Sequence, residues 1–116
     1  MSAILEKSME YAVRIVGVYK YLLEEKDEAV MAKQLLRSGT SIGANVREAL
    51  QGQSRKDFAA KMSIALKEAS ESEYWLELLM RTGYLTGKAY ESINADCSEI
   101  NRLLIAIVKS AREARP

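Results

Sequence analysis

Seven residues, Phe58, Met62, Ala65, Ala69, Ser72, Leu76 and Leu79, repeat with unbroken spacings of four and three. That period puts them on one face of an α-helix and on no single face of a β-strand. One proline and six glycines in 116 residues leave few turns, which disfavours an all-β fold. A chain of this length forms one domain, residues 1–116, with room for a single core. Its 48% hydrophobic and 28% charged residues match an ordinary globular composition.

The same spacing recurs in three other segments. A first helix is expected from about Ile4 to Glu25, with a stripe of Leu5, Met9, Ala12, Val16, Tyr19 and Leu23. A second stripe, Ile4, Tyr11, Ile15, Val18 and Leu22, lies beside it. Together they are wider than one core seam requires. Either the helix is deeply buried, or part of this face, around Tyr11, Ile15 and Val18, meets another subunit. The charged link Glu24 to Glu28 is short, so the next helix runs antiparallel. Helix two spans about Ala29 to Leu50 with Ala32, Leu35, Gly39, Ile42, Val46 and Ala49 inward. Helix three runs from Arg55 to about Thr82. Helix four runs from about Lys88 to Arg112 with Ile93, Cys97, Ile100, Leu104, Ile107 and Ala111 inward, and Ala111 to Pro116 frays. The expected fold is all-α, an antiparallel up-down-up-down four-helix bundle.

Small residues interrupt helix two. Gly39 and Gly43 each cost about 1 kcal/mol against alanine in a helix interior, so close backbone approach is the expected reason for them. With a hairpin about Gly52, Gly39 and Ile42 fall near Met62 to Ala69, where small faces small. A phosphate-binding loop is excluded, since no Gly-Lys-Ser/Thr follows and no strand precedes. Gln34, Ser38, Ser41 and Asn45 form a polar stripe that either faces water or bonds to another helix or subunit. Gly52 suits a left-handed cap of helix two, Ser54 with Asp57 resembles a capping box, and Gly83 caps helix three.

Histidine is absent and there is one cysteine. This removes the commonest general base, the activator of a nucleophilic serine, and any ordinary zinc site. Cys97 falls on a core face and reads as a small buried hydrophobe. Of Glu68, Glu71, Glu73 and Glu77, the last pair would repel one turn apart unless partnered; Glu68 and Glu71 are equally suited to bonding Arg37 or the polar stripe. No cleft is marked beside them. No catalytic residues, no metal and no cofactor are expected. Neither a signal peptide nor a membrane span is visible, and cytoplasmic residence is the simplest expectation.

Three segments carry a resemblance: Leu35-Leu36-Arg37-Ser38-Gly39-Thr40-Ser41-Ile42-Gly43-Ala44-Asn45, Ser63 to Ala69, and Glu73-Tyr74-Trp75-Leu76 with Thr82-Gly83-Tyr84. They resemble the bacterial 23S rRNA intervening-sequence proteins, and more distantly the accessory variability determinant proteins of diversity-generating retroelements. The resemblance covers nearly the whole chain. It implies an up-down bundle that assembles as a homopentamer, with no enzyme activity. The retroelement relatives are strongly basic and bind nucleic acid; this chain has a net charge of only +1.

That small net charge conceals an asymmetry. Residues 33–67 hold seven basic and two acidic side chains, whereas residues 68–99 hold two basic and seven acidic. In an up-down bundle one pole collects Lys7, Arg47, Arg55, Lys56, Lys61, Lys109, Arg112 and Arg115. The other collects Glu24, Glu25, Asp27, Glu28, Glu77 and Glu91. Arg55 and Lys56 stand at the start of helix three, where the helix dipole disfavours positive charge. Two readings of function follow. In the first, Arg47, Arg55, Lys56, Lys61, Lys109 and Arg112 contact the phosphates of RNA or DNA. In the second, the chain is a protein-interaction scaffold working through Tyr11, Ile15, Val18, Tyr74 and Trp75.

Overall fold

Three short links, residues 26–29, 51–54 and 82–86, join four helices in the computed structural model, which describes residues 2–113. The helices are α1 (Ser2–Glu25), α2 (Val30–Leu50), α3 (Arg55–Arg81) and α4 (Gly87–Glu113). They lie side by side in a rod of 52 × 20 × 20 Å. Cross-helix pairs run in opposite order along each neighbouring pair. Position 39 faces Ile15 and position 43 faces Ser8. Arg37 pairs with Glu68 while Glu48 pairs with Lys61. Arg14 pairs with Asp96 while Lys7 pairs with Glu99. The bundle is therefore up-down-up-down, as the short links require. The α1/α4 seam has the sparsest packing of the four.

Each helix end is closed by a local device. Asp27 takes the left-handed conformation (φ 51°), which lets the Glu28 amide bond back to the Leu22 carbonyl. The Glu28 carboxylate then accepts from the Met31 amide at 2.6 Å, satisfying the positive end of α2. Ser54 caps α3 by accepting from Asp57 N–H at 3.0 Å. Gly83 has φ +85°, and the Tyr84 and Gly83 amides bond to the carbonyls of Leu79 and Met80, a Schellman closure. Thr86 caps α4 through Ala89 N–H. Gly52 departs from the expected left-handed cap: α2 ends instead through Gln51 (φ −99°), and Gly52 keeps a negative-φ backbone that folds against Ala49 O and Asp57.

The core face of α2 is as expected, and so is that of α3 except that Phe58 is only half-buried. In α4 the expected Ile93, Cys97, Ile100 and Leu104 are buried; towards the end Val108 turns inward while Ile107 and Ala111 are half-buried. Helix α4 continues through Glu113, and the rest of the segment expected to fray, residues 114–116, lies outside the described residues. In α1 the outcome reverses the expected order of the two stripes. Ile4, Tyr11, Ile15, Val18 and Leu22 are buried with Ser8, while Leu5, Ala12, Val16, Tyr19 and Leu23 are half-buried and Met9 is 48% exposed.

The reason is steric. A Cβ at position 39 would lie 2.9 Å from both Cγ1 and Cγ2 of Ile15, and one at position 43 would lie 3.5 Å from Ser8. The glycines of α2 thus admit α1, not α3 as the hairpin argument expected. The polar stripe of α2 also turns back on its own helix. Ser38 bonds to Gln34 O, Ser41 to Arg37 O and Asn45 to Ser41 O. These bonds satisfy the side chains without any second helix.

A small polar knot sits in the core. The Tyr11 hydroxyl and Ser72 Oγ are 2.6 Å apart, and Cys97 Sγ donates to Ala69 O at 3.4 Å. Burial pushes the Cys97 thiol up to about 12 and raises the Tyr11 phenol as well.

Two predictions follow from this packing. Gly39→Ala forces a Cβ into the rigid, fully buried Ile15, so chemical denaturation should show a loss of about 1–3 kcal/mol despite alanine's better helix propensity. Both raised acids must be neutral in the fold, so their stabilisation is complete below the ordinary thiol value of 9.0 and is lost as pH rises towards 12. The melting temperature should fall above about pH 9, and native Cys97 should resist thiol reagents until the chain unfolds.

Candidate functional site

The basic residues expected at one pole arise from three helix ends. Arg47 is in the last turn of α2, Arg55 and Lys56 open α3, and Lys109 and Arg112 close α4. All five are exposed. Lys61, one turn further into α3, spends its charge on Glu48 at 2.8 Å. The Arg112 guanidinium reaches Ser63 Oγ at 3.5 Å, which ties the end of α4 to the start of α3. Arg47, Lys56 and Lys109 make no ion pair among the described residues. Arg115 lies outside the described residues.

Along the middle, several cations are matched. Arg14 donates to Asp96 at 2.7 Å and also to Ser92, closing the sparse α1/α4 seam. Lys7 meets Glu99 at 3.2 Å. Arg37 bridges Glu68 and Glu71, and Glu71 also accepts from Trp75 Nε1 at 3.2 Å. The Arg37 hydrogen bond, followed by that of Trp75, holds the Glu71 carboxyl below its usual range. Glu73 accepts from Ser98 and Asn101, and Glu77 pairs with Arg81. Every carboxylate of the acidic cluster is therefore engaged by a neighbour, and Glu68 and Glu71 bond to Arg37 as one of their two readings held. Among the described residues no three His, Cys, Asp or Glu side chains stand together as a metal site, and no helix is long and apolar enough to cross a membrane.

The apolar candidates divide. Tyr11, Ile15 and Val18 are buried inside the single chain, so of the two readings of this face, deep burial or a subunit contact, burial in the chain's own core holds for them. Tyr74 is 58% exposed and stands edge-on to Trp75, with ring centres 5.0 Å apart. Trp75 itself packs half-buried on the core, its indole N–H fixed by Glu71.

The surface that α1 does present was overlooked. Met9, Val13, Gly17 and Tyr21 stand four residues apart, which makes one oblique ridge along the helix. Val13 is 66% exposed and Tyr21 40% exposed. A groove of about 470 Å³ adjoins the ridge, with Met9 and Ala12 on one wall and Gly43, Ala44 and Arg47 on the other. Spacing by four was the available signal, but it crosses the four-three stripes and was hidden by them.

Comparison with known proteins places this geometry. A model of the 23S rRNA-intervening sequence protein family matches residues 2–106. The fold is similar to the crystal structure of a protein of unknown function from the S23 ribosomal protein family of Bacteroides thetaiotaomicron. The two share 65% identity with a TM-score of 0.90, covering 91% of this chain and 98% of that one. No functionally curated protein matches. The chain belongs to the 23S rRNA-intervening sequence protein family.

Proposed function

We propose that this protein is a non-enzymatic, self-associating module of the cytoplasm that contacts the phosphates of RNA or DNA with its basic pole. The observation that carries the reading is the gathering of exposed cations from three helix ends at one pole. Lys7, Arg14, Arg37, Lys61 and Arg81 each pair with a carboxylate. Arg47, Lys56 and Lys109, from three different helices, keep theirs for an outside anion. Lys56 also stands at the positive end of α3, a place that helix energetics would give to an acid. Arg55 and Arg112 extend the same end. Three to five cations give weak binding in one copy; repeated around a ring, such as the homopentamer its family resemblance implies, they add through avidity.

A second reading has its own support. The exposed row on α1, with Tyr74 beside Trp75 on α3, suits a protein-interaction scaffold that touches no nucleic acid. The two readings separate in one assay. Affinity for structured RNA, duplex DNA and single strands is measured across a salt series. Phosphate contact predicts that log K falls by about 0.7–0.9 per log unit of salt for each contact. The Arg47→Glu/Lys56→Glu variant should flatten that slope by about two contacts and weaken binding at least tenfold. Absence of binding at low salt, or an unchanged slope in the variant, would leave the scaffold reading.

A further inference from the structure

The basic pole adjoins a groove that phosphate contacts alone leave unused. It runs between α1 and α2 and holds about 470 Å³. Met9 and Ala12 form one wall, and Gly43 and Ala44 the other. All are small except Met9, which is exposed and flexible. Arg47 closes the end nearest the pole, one turn further along α2 than Gly43 and Ala44, about 5.4 Å. Gln51 follows on the next turn and brings an exposed amide.

The charges of the groove select an anion. Its two ionic side chains are Arg47 and Glu48. Glu48 is matched by Lys61, whereas Arg47 makes no ion pair among the described residues. The α1 acids closest to Met9 in sequence, Glu6 and Glu10, do not line it. Glu10 instead lines a cleft with Asp96 and Glu99 of α4. The Thr40 hydroxyl at the inner end is spent on Leu36 O, so the walls are effectively apolar. A fitting occupant joins a negative group, seated on Arg47, to a flat or apolar body about one helical turn away. A nucleotide has that form. Its phosphate meets the guanidinium, Gln51 adds a neutral donor beside it, and the base lies between the walls, where the Met9 sulfur suits an aromatic ring. Bases of a regular duplex are stacked and paired, and only an unpaired base is free to enter.

We propose that this groove seats the base of an unpaired nucleotide whose phosphate is held by Arg47, so that the basic pole prefers single, looped or bulged strands to a regular duplex. This rests on the phosphate contact proposed above and names the class of nucleic acid it takes. The walls offer packing and almost no hydrogen bonds, so the preference is for unpaired structure and not for one sequence.

The test titrates the full chain with one fluorescent single-stranded RNA and with the duplex made by annealing its complement, at one low salt concentration. The unmodified chain should bind the single strand about tenfold more tightly. Ala44→Leu fills the groove from an exposed helix position, and circular dichroism checks that it folds. It should reduce the preference at least fivefold. Altered folding or self-association would change both affinities together and keep their ratio, so the ratio reports the groove. In methyl-labelled spectra, Met9 should shift when the single strand is added, as the ring current of a base requires, and stay in place with the duplex. If neither form binds, the phosphate reading fails and the groove falls with it. If both bind equally, if Ala44→Leu keeps the ratio, or if Met9 does not move with the single strand, only the base site is overturned.

Discussion

Ile15 of α1 occupies the space that a side chain at position 39 of α2 would need. Most of the architecture depends on this one contact. Two glycines in α2 lower its surface, α1 settles into the depression, and the rotation of α1 about its own axis is thereby set. That rotation turns Tyr11 towards Ser72 and Ser8 towards Gly43. It also turns Met9, Val13 and Tyr21 outwards. The core and the outer apolar face of α1 are two results of the same fit.

Most polar groups inside the bundle are satisfied locally, although the amide oxygens of Asn94 and Asn101 are buried without a hydrogen-bond partner. A tyrosine hydroxyl and a serine in the core satisfy each other, so neither is left unpaired in a place where that would cost about 1–3 kcal/mol. The serines and the asparagine of α2 bond to carbonyls of their own helix, which frees the α2/α3 seam for apolar packing. Glu68, Glu71, Glu73 and Glu77 of α3 are each held by a neighbour on α2, on α3 or on α4. Against this ordered middle, the exposed cations gathered from three helix ends form the surface with the most concentrated positive charge.

Much was legible from periodicity. Helix limits fell within two residues of expectation, because Ser54, Gly83 and the acidic link before α2 mark ends by local hydrogen bonding. The inward faces of α2 and α3 were legible because each has a single apolar stripe. The bridge of Arg37 to Glu68 and Glu71 was foreseen as one of two options, since antiparallel α2 and α3 bring those positions level. The pole of basic residues follows from the same topology, although Lys61 proved to be matched by Glu48.

The sequence by itself determined four helices, their order and their antiparallel course, because periods, caps and short links are local properties of the chain. The tertiary structure alone decided which of two adjacent apolar stripes on α1 faces inwards. Both stripes have helical spacing and similar hydrophobicity, so no local rule ranks them. The choice is made by shape, where Ile15 meets the missing Cβ of Gly39. It also decided that Tyr11, Ile15 and Val18 belong to the core, and that Gly17, silent in the sequence, lies open on the surface with nothing of its own chain against it.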